Sequence, residues 1–175
     1  MSRGCLIALV MSMAGTACAQ DASGLPDAVT AFDQACLRVR GDRAALAAVA
    51  NAQGWASAER RSPPERGWQV AYWTETRALV RLTGYPATAD GLTPAQVICA
   101  VDRIEARPGW EQKVSAVAVD GAPLGEPSQP DLSTYQIRPD MELKVWDLAD
   151  GSRIHASYIP TRSYLELSIN YPTGR

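Results

Sequence analysis

The chain contains one histidine, His155, and none of the short motifs that usually mark a catalytic or cofactor site. It has no H-x-x-x-H, no C-x-x-C, no G-x-S-x-G or S-x-x-K, and no glycine-rich phosphate, dinucleotide or calcium loop. A histidine metal centre or a dithiol redox catalyst is therefore not expected. We predict no catalytic residues, no metal and no cofactor, and the sequence leaves open whether the protein is an enzyme.

The chain also lacks any apolar run of the ~20 residues needed to span a bilayer, so no transmembrane anchor is expected. An apolar stretch within residues 1–19 follows Arg3 and ends at Ala17-Cys18-Ala19. Such a short segment with these flanks is typical of a secretory signal peptide that is cleaved after Ala19. We therefore predict that residues 1–19 are removed and that residues 20–175 form a single domain, located in the periplasm or secreted.

Residues 1–19 also allow a second kind of processing, the cleavage of a lipoprotein precursor. Gly15-Thr16-Ala17-Cys18 resembles the cleavage box of bacterial lipoproteins, although Gly15 stands where such boxes usually carry Leu or Val. Cleavage before Cys18 would leave a lipid anchor on that residue. The sequence favours the soluble exported form, with lipid anchoring at Cys18 as the minor alternative.

Neither sign of charge dominates, and lysine is scarce. Lys plus Arg number 17 against 19 Asp plus Glu, and only Lys113 and Lys144 are lysines. This balance offers no electrostatic footprint for nucleic acid, which we do not expect as a partner. The preference for arginine and the abundance of alanine are typical of GC-rich coding, which together with the leader indicates a Gram-negative bacterial periplasmic protein.

Cysteine is scarce too, and the four that are present divide cleanly. Cys5 and Cys18 belong to the predicted signal peptide, which leaves Cys36 and Cys99 in the mature chain. A pair of cysteines in an exported protein predicts a disulfide, and the alternative is two buried thiols. Closing a loop of roughly 60 residues is worth ~4 kcal/mol in the chain-entropy model.

Helical periodicity covers the first part of the mature chain. Pro26 suits a first helical turn, and Gly41 ends a run whose apolar residues share one face: Val29, Phe32, Cys36 and Val39. Asp42 is a good N-cap for a second helix that ends before Gly54. The pattern predicts an N-terminal helical hairpin, followed by a solvated connection at residues 56–66.

Alternating apolar residues follow from Gly67 onward and predict a β-hairpin at residues 68–73 and 78–83. The segment around Cys99 fits two structures. A capping box at Thr93–Gln96 favours a helix, whereas the β-branched run Val97–Val101 favours a buried strand, which we predict.

The rest of the chain predicts one more helix and a meander. A third helix is expected from Trp110, with a strand at Val117–Val119 that turns at Asp120-Gly121 as the alternative, and Ala122–Ser133 is expected to be a loop. Four short alternating runs then predict an antiparallel meander: Tyr135–Arg138, Met141–Leu148, Arg153–Ile159 and Tyr164–Tyr171. In the last run we expect one buried face (Leu165, Leu167 and Ile169) and one polar face (Glu166, Ser168 and Asn170). The predicted fold class is α+β, with the helical hairpin and third helix packed on a mostly antiparallel sheet.

The function must be inferred from composition, because no motif in the sequence indicates it. Five Trp and six Tyr accompany a single Phe, and aromatic residues with a polar edge are enriched at interfaces. We expect a protein that binds an envelope protein or glycan through candidate residues on its sheet or loops: Trp73, Trp110, Trp146 and His155. The oligomeric state is not predicted.

Two alternatives remain. A small hydrolase acting on envelope polymer would use His155 with an acidic residue as acid and base, and a carbohydrate binder would stack sugars on Trp. A pair of catalytic carboxylates is also conceivable, although the sequence places no two of them at the separation that glycoside hydrolysis requires. The candidates for such a pair are Asp102, Glu105, Glu111, Asp140 and Glu142.

Overall fold

The computed structural model describes residues 24–58, 67–89, 95–128 and 138–172. The predicted signal peptide, the lipoprotein box and the predicted strand Tyr135–Arg138, apart from its last residue, lie outside these ranges. Within them, three helices and a seven-stranded antiparallel sheet confirm the predicted α+β class. None of the helices in the described ranges is long and apolar enough to cross a membrane.

The predicted helical hairpin is confirmed. α1 spans Leu25–Phe32, with a proline in its first turn, and a π-helical turn at Asp33–Leu37 extends it. α2 spans Arg43–Ala52, and the Asp42 carboxylate accepts hydrogen bonds from the backbone N–H groups of its first turn at 2.7 and 3.0 Å. Both helices pack small or apolar residues on the sheet: Leu25, Ala28, Ala31, Phe32, Ala35, Cys36 and Leu46.

The sheet consists of two antiparallel meanders joined through its centre. The first contains β2 (Trp68–Trp73), β3 (Leu79–Tyr85) and β4 (Gln96–Glu105), with the short β1 (Ala56–Ser57) at its outer edge. The second contains β7 (Glu142–Asp147), β8 (Arg153–Ile159) and β9 (Tyr164–Pro172). The strand order is β1-β2-β3-β4-β9-β8-β7, so the last strand of the chain lies in the middle.

The segment around Cys99 is a strand, as predicted, and the last three predicted strands are confirmed. β3 continues two residues further than predicted, past Gly84 to Tyr85. Trp68 on β2 lies directly opposite Gly84, where a Cβ would come within 2.3 Å of the indole ring. Position 84 therefore requires glycine although it lies inside a strand. In a sequence, glycine more often indicates a turn.

Both structures considered for residues 110–119 occur. α3 spans Trp110–Ser115, and β5 (Ala118–Val119) then turns through Asp120 and Gly121 into β6 (Ala122–Pro123), forming a separate small hairpin. The prediction that Ala122–Ser133 is entirely a loop was wrong at its start. A β-hairpin of two residues per strand is too short to show the alternation that identifies strands in a sequence.

The three helices cover one face of the sheet, which we call the covered face. Its strand residues are apolar and buried with the helices in a single core: Val80, Leu82, Cys99, Val101, Ile154, Ala156, Leu165, Leu167 and Ile169. Burial of Leu165, Leu167 and Ile169 on one side of β9 confirms the predicted face of that strand. The alternate residues of the same strands form the opposite face, which carries most of the polar side chains.

The predicted disulfide is confirmed. Cys36 in the π-helical turn bonds to Cys99 on β4, with the two Cα atoms 5.4 Å apart and a separation of 63 positions along the chain. Both cysteines are fully buried in the core, and the Tyr171 hydroxyl donates a 2.6 Å hydrogen bond to the backbone oxygen of Cys36. The bond fastens the helical hairpin to the centre of the sheet.

Candidate functional site

An irregularity in the central strand pair marks the opposite face of the sheet. The β4–β9 register shifts between Val101 and Ile104, so that Asp102 and Arg103 together face Glu166. Arg103 has φ 62°, a left-handed conformation that is uncommon for a residue with a side chain. β-Bulges and strained backbone occur preferentially beside binding and active sites, where they redirect side chains.

The bulge places Asp102 in a cluster of charges on three adjacent strands. Arg81 Nε on β3 lies 2.6 Å from Asp102 Oδ2, and Arg81 Nη2 donates a 3.2 Å hydrogen bond to Glu166 Oε2 on β9. The side chain of Asp102 is only 9% exposed. One arginine thus holds two carboxylates on a face where most polar side chains would be solvated.

The cluster leaves hydrogen-bonding capacity unused. Asp102 Oδ1 is buried and accepts no hydrogen bond within the described residues, and Arg103 Nε lies 4.0 Å from it. Arg81 Nε is not aligned for a hydrogen bond despite its short ion-pair distance. Across the described ranges three buried side-chain N or O atoms lack a partner, and two of them belong to this cluster.

These groups line an open cleft of about 630 Å³. Tyr164 and the aliphatic side chains of Leu79 and Ile159 form part of its wall, and Arg103 and Arg162 lie exposed around it. We call this the Asp102 cleft, and its full lining is Leu79, Arg81, Asp102, Arg103, Ile159, Arg162, Tyr164 and Glu166. Its size falls within the range of roughly 300–1,000 Å³ that is typical of small-molecule sites.

Burial and neighbouring carboxylates shift the titration of two groups in the cleft. Burial raises the pKa of Glu166, the Asp102 charge raises it further, and Arg81 opposes both. Burial also raises the pKa of Tyr164, with contributions from the Asp102 and Glu166 carboxylates. Displaced pKa values in a cleft are a physical sign of a functional site, because binding and catalysis both use such environments.

The candidate residues from the sequence are distributed over different parts of the molecule. Trp73 borders the cleft, because it lies opposite Leu79 across β2–β3 and Arg103 stacks 4.9 Å from its ring centroid. His155 lies half-buried on the same face but outside the cleft lining, directly opposite Ser168. Burial, and secondarily the Arg153 charge, lower the pKa of His155, while Asp147 raises it.

The other two tryptophans belong to the core. Trp110 is 2% exposed, with its ring centroid 5.6 Å from that of Tyr158. Trp146 is 3% exposed and donates a 2.9 Å hydrogen bond from Nε1 to the backbone oxygen of Gly125. Neither side chain presents much surface to a partner, so neither belongs to the site that we consider below.

Sequence reasoning missed most of the cleft. Arg81 offered one signal, since it is a charged residue in the middle of the apolar run Ala78–Thr83. Asp102 was among the carboxylates considered, but its partner Glu166 is far along the chain and was assigned to the polar side of the last strand. Arg103, Arg162 and Tyr164 carried no sequence signal of a shared site.

Two further cavities are less developed as sites. One of about 300 Å³ lies beside Trp55, Asp27 and Glu75, and another of about 430 Å³ lies between the β5–β6 hairpin and the β7–β8 turn. In the second, Asp120 and Asp150 are bound by Arg40 at 2.7 and 3.6 Å. Neither lining includes a buried polar atom without a partner, which distinguishes both from the Asp102 cleft.

The described residues hold no group of three or more His, Cys, Asp or Glu side chains that could bind a metal ion. The arrangement in the Asp102 cleft is instead suited to hydrogen bonding and ion pairing with an organic ligand. Comparison with known proteins adds no assignment, because no family model, curated protein or solved structure matches this chain.

Proposed function

We propose that this is an exported binding protein that takes up a component of the cell envelope in the Asp102 cleft. The observation that carries this proposal is the Asp102 carboxylate. Asp102 lines the cleft, and its buried Oδ1 atom accepts no hydrogen bond within the described residues. A buried acceptor without a donor costs about 1–3 kcal/mol. A ligand that donates a hydrogen bond to this atom would recover that free energy.

The charge arrangement supports binding more than catalysis at this cleft. Arg81 pairs with both Asp102 and Glu166, so neither carboxylate stands free to act as a nucleophile. Partly buried ion pairs of this kind hold side chains in fixed positions, which lowers the entropy cost of ligand binding. The cleft is thus a preformed site with a fixed acceptor.

Export rests on the disulfide together with the sequence of residues 1–19. Disulfides persist in oxidising compartments such as the periplasm and are rare in the cytosol. The Cys36–Cys99 bond, fully buried at the centre of the fold, is compatible with an exported protein. A periplasmic address would bring the cleft into contact with cell-wall glycan, its peptides and envelope proteins.

Binding of defined cell-wall fragments tests this function. Residues 20–175 would be purified from the periplasm and titrated calorimetrically with glycan and peptide fragments of the cell wall. Asp102→Asn removes the charge with little change in volume and should weaken binding at least tenfold, because hydrogen bonds to charged groups contribute about 1.5–3 kcal/mol. Glu105→Gln, an exposed carboxylate on the same strand and outside the cleft, is the matched control.

Thermal unfolding of each variant would show whether it is folded before binding is compared. Equal affinity of Asp102→Asn and the parent protein for every fragment that binds would overturn the assignment of this cleft. An equal loss in the Glu105→Gln control would show that overall charge, rather than the cleft, governs binding.

A second candidate function is hydrolysis at His155, favoured by the register of the second meander. Ser168, His155 and Asp147 lie on the adjacent strands β9, β8 and β7, with Ser168 directly opposite His155 and Asp147 close enough to affect the pKa of His155. The lowered pKa of His155 keeps its imidazole neutral at pH 7, as a general base requires. Hydrolysis of activated esters or cell-wall glycan that survives both His155→Ala and Ser168→Ala would exclude this assignment.

A further inference from the structure

The Asp102 cleft carries carboxylates and arginines in different places. Its floor carries Asp102 and Glu166, which share Arg81 and leave the acceptor Oδ1 of Asp102 unused. Arg103 and Arg162 lie at its exposed margin. A ligand that fits must therefore present a hydrogen-bond donor to the floor and a group that binds arginine at the margin.

The two marginal arginines are available to an anion. Arg162, on the 3-10 turn Pro160–Arg162, has no hydrogen bond or ion pair with any other described residue. Arg103 is 55% exposed, stacks on Trp73, and reaches no closer than 4.0 Å to Asp102. Guanidinium groups bind carboxylates with paired hydrogen bonds, so this margin suits a carboxylate.

The floor of the Asp102 cleft does not suit a carboxylate. Asp102 is itself a buried carboxylate, and a second anion placed against Oδ1 would be repelled in an environment of low dielectric. A neutral hydroxyl is the complementary donor, because it supplies a hydrogen bond without adding charge. The lining contains three arginines and two carboxylates, and this balance is matched by a ligand with a single negative charge.

The walls of the cleft can contact the carbon skeleton of a ligand, between its carboxylate and its hydroxyl group. Ile159 and the ring of Tyr164, both half-buried, offer apolar surface, and the volume of about 630 Å³ accommodates a ring-sized molecule. A compact polyhydroxylated ring can direct a carboxylate to one side and hydroxyl groups to the other. This geometry excludes a simple fatty acid, which has no donor for the floor.

We infer that the Asp102 cleft binds an acidic sugar, with its carboxylate on Arg103 and Arg162 and a ring hydroxyl donating to Asp102 Oδ1. This inference rests on the proposed function and specifies its ligand class. Arg162 and Asp102 then have separate tasks. Arg162 selects the charge of the ligand, and Asp102 selects its hydroxyl group.

Three probes of similar size separate these tasks. D-Glucuronate has both the carboxylate and the hydroxyls, D-glucose lacks the carboxylate, and hexanoate lacks the hydroxyls. We expect glucuronate to bind at least tenfold more tightly than either of the others in titrations of the full mature chain. Arg162→Gln should weaken the preference over glucose, with Arg103 still present. Asp102→Asn should weaken the preference over hexanoate, because it replaces a charged acceptor with a neutral one.

Arg107→Gln removes an exposed arginine that does not line the cleft and is the control for net charge. It should leave all three affinities unchanged. Arg162 is exposed, so its substitution is not expected to unfold the protein, and the inference stays testable if Asp102→Asn proves unstable.

The possible failures are distinct. Equal binding of glucose and glucuronate, or unchanged selectivity in Arg162→Gln, would overturn the acidic-sugar inference. So would binding of cell-wall fragments through Asp102 with no binding of glucuronate, although the proposed function would then stand. Fragment binding that does not depend on Asp102 would overturn the proposed function itself.

Discussion

The two faces of one sheet, built from alternate residues of the same strands, have opposite characters. On β9 the side chains of Leu165, Leu167 and Ile169 are buried under the helices, whereas Glu166 and Ser168 between them lie half-buried on the opposite face. The covered face carries the disulfide and the apolar core. The opposite face carries the β-bulge and the Asp102 cleft.

Adjacent residues of one strand thus belong alternately to the apolar core and to the polar face of the sheet. Apolar burial provides most of the free energy of folding and tolerates few polar residues. The opposite face can hold charges because solvent reaches it, yet three adjacent strands place those charges close enough to interact strongly. Substitutions on the two faces should therefore differ in both size and pH dependence.

Loss of the disulfide should have the largest effect. Replacing both Cys36 and Cys99 with serine releases a loop that spans 63 residues. We expect the free energy of unfolding to fall by about 4 kcal/mol, because the unfolded chain regains loop entropy. Urea denaturation of the variant and of the parent protein with reductant would measure this loss.

The reduced parent protein serves as the control, since it loses the bond without gaining buried hydroxyl groups. A loss of less than about 1 kcal/mol in both samples would show that the covered face does not depend on the bond, against the expectation from loop closure.

Adjacent residues of β9 give the sharpest comparison of the two faces. Leu167→Ala should lower the free energy of unfolding by about 3 kcal/mol, because it opens a cavity in the core. Ser168→Ala, the next residue and on the opposite face, should change it by less than about 1 kcal/mol. Chemical denaturation of both variants under one set of conditions provides the measurement.

Similar losses for Leu167→Ala and Ser168→Ala would contradict the division into the covered face and the opposite face. If Leu167→Ala left the free energy of unfolding almost unchanged, the assignment of Leu167 to the core would be wrong. If Ser168→Ala lowered it strongly, the assignment of Ser168 to a face that contributes little to stability would be wrong.

The smallest effect concerns pH and belongs to the opposite face. The raised pKa of Glu166 means that the folded protein holds this proton more tightly than the unfolded chain. Its ionisation therefore lowers stability as pH rises from the ordinary carboxyl value of 4.5 through the higher value in the folded state. Glu166→Gln cannot ionise, so its stability relative to the parent protein should increase across that interval.

His155 should show the reverse dependence. Its lowered pKa means that the unfolded chain binds the proton more readily, so stability falls as pH drops below the ordinary value of 6.5. His155→Gln should remove this loss, whereas the cost of Leu167→Ala should be the same at pH 5 and pH 8. A pH profile that Glu166→Gln and His155→Gln leave unchanged would contradict the assigned burial of both groups.

Local signals predicted much of the covered face. Asp42 and Gly54 bound the second helix through capping, and the β-branched run at Val97–Val101 correctly favoured a strand over a helix. The disulfide followed from counting cysteines in a chain predicted to be exported. The π-helical turn at Cys36 and the strand through Gly84 were not predicted, because each depends on what packs against it.

The opposite face was harder to predict. Glu166 alternates with leucines, and such polar residues are usually solvated, so nothing in β9 alone indicated a partner for it. Arg81 and Glu166 are 85 residues apart along the chain. They meet because β9 inserts between β4 and β8, which places β3, β4 and β9 side by side.

The sequence by itself determined the elements whose causes are local: helix caps, strand alternation, the apolar side of each strand and the two cysteines available for bonding. Tertiary structure alone decided the Asp102 cleft. Its central cluster of Arg81, Asp102 and Glu166 comes from three strands whose order, register and bulge depend on long-range pairing. Local patterns report the environment of each residue along the chain, whereas a site assembled across strands depends on which residues the completed sheet places together.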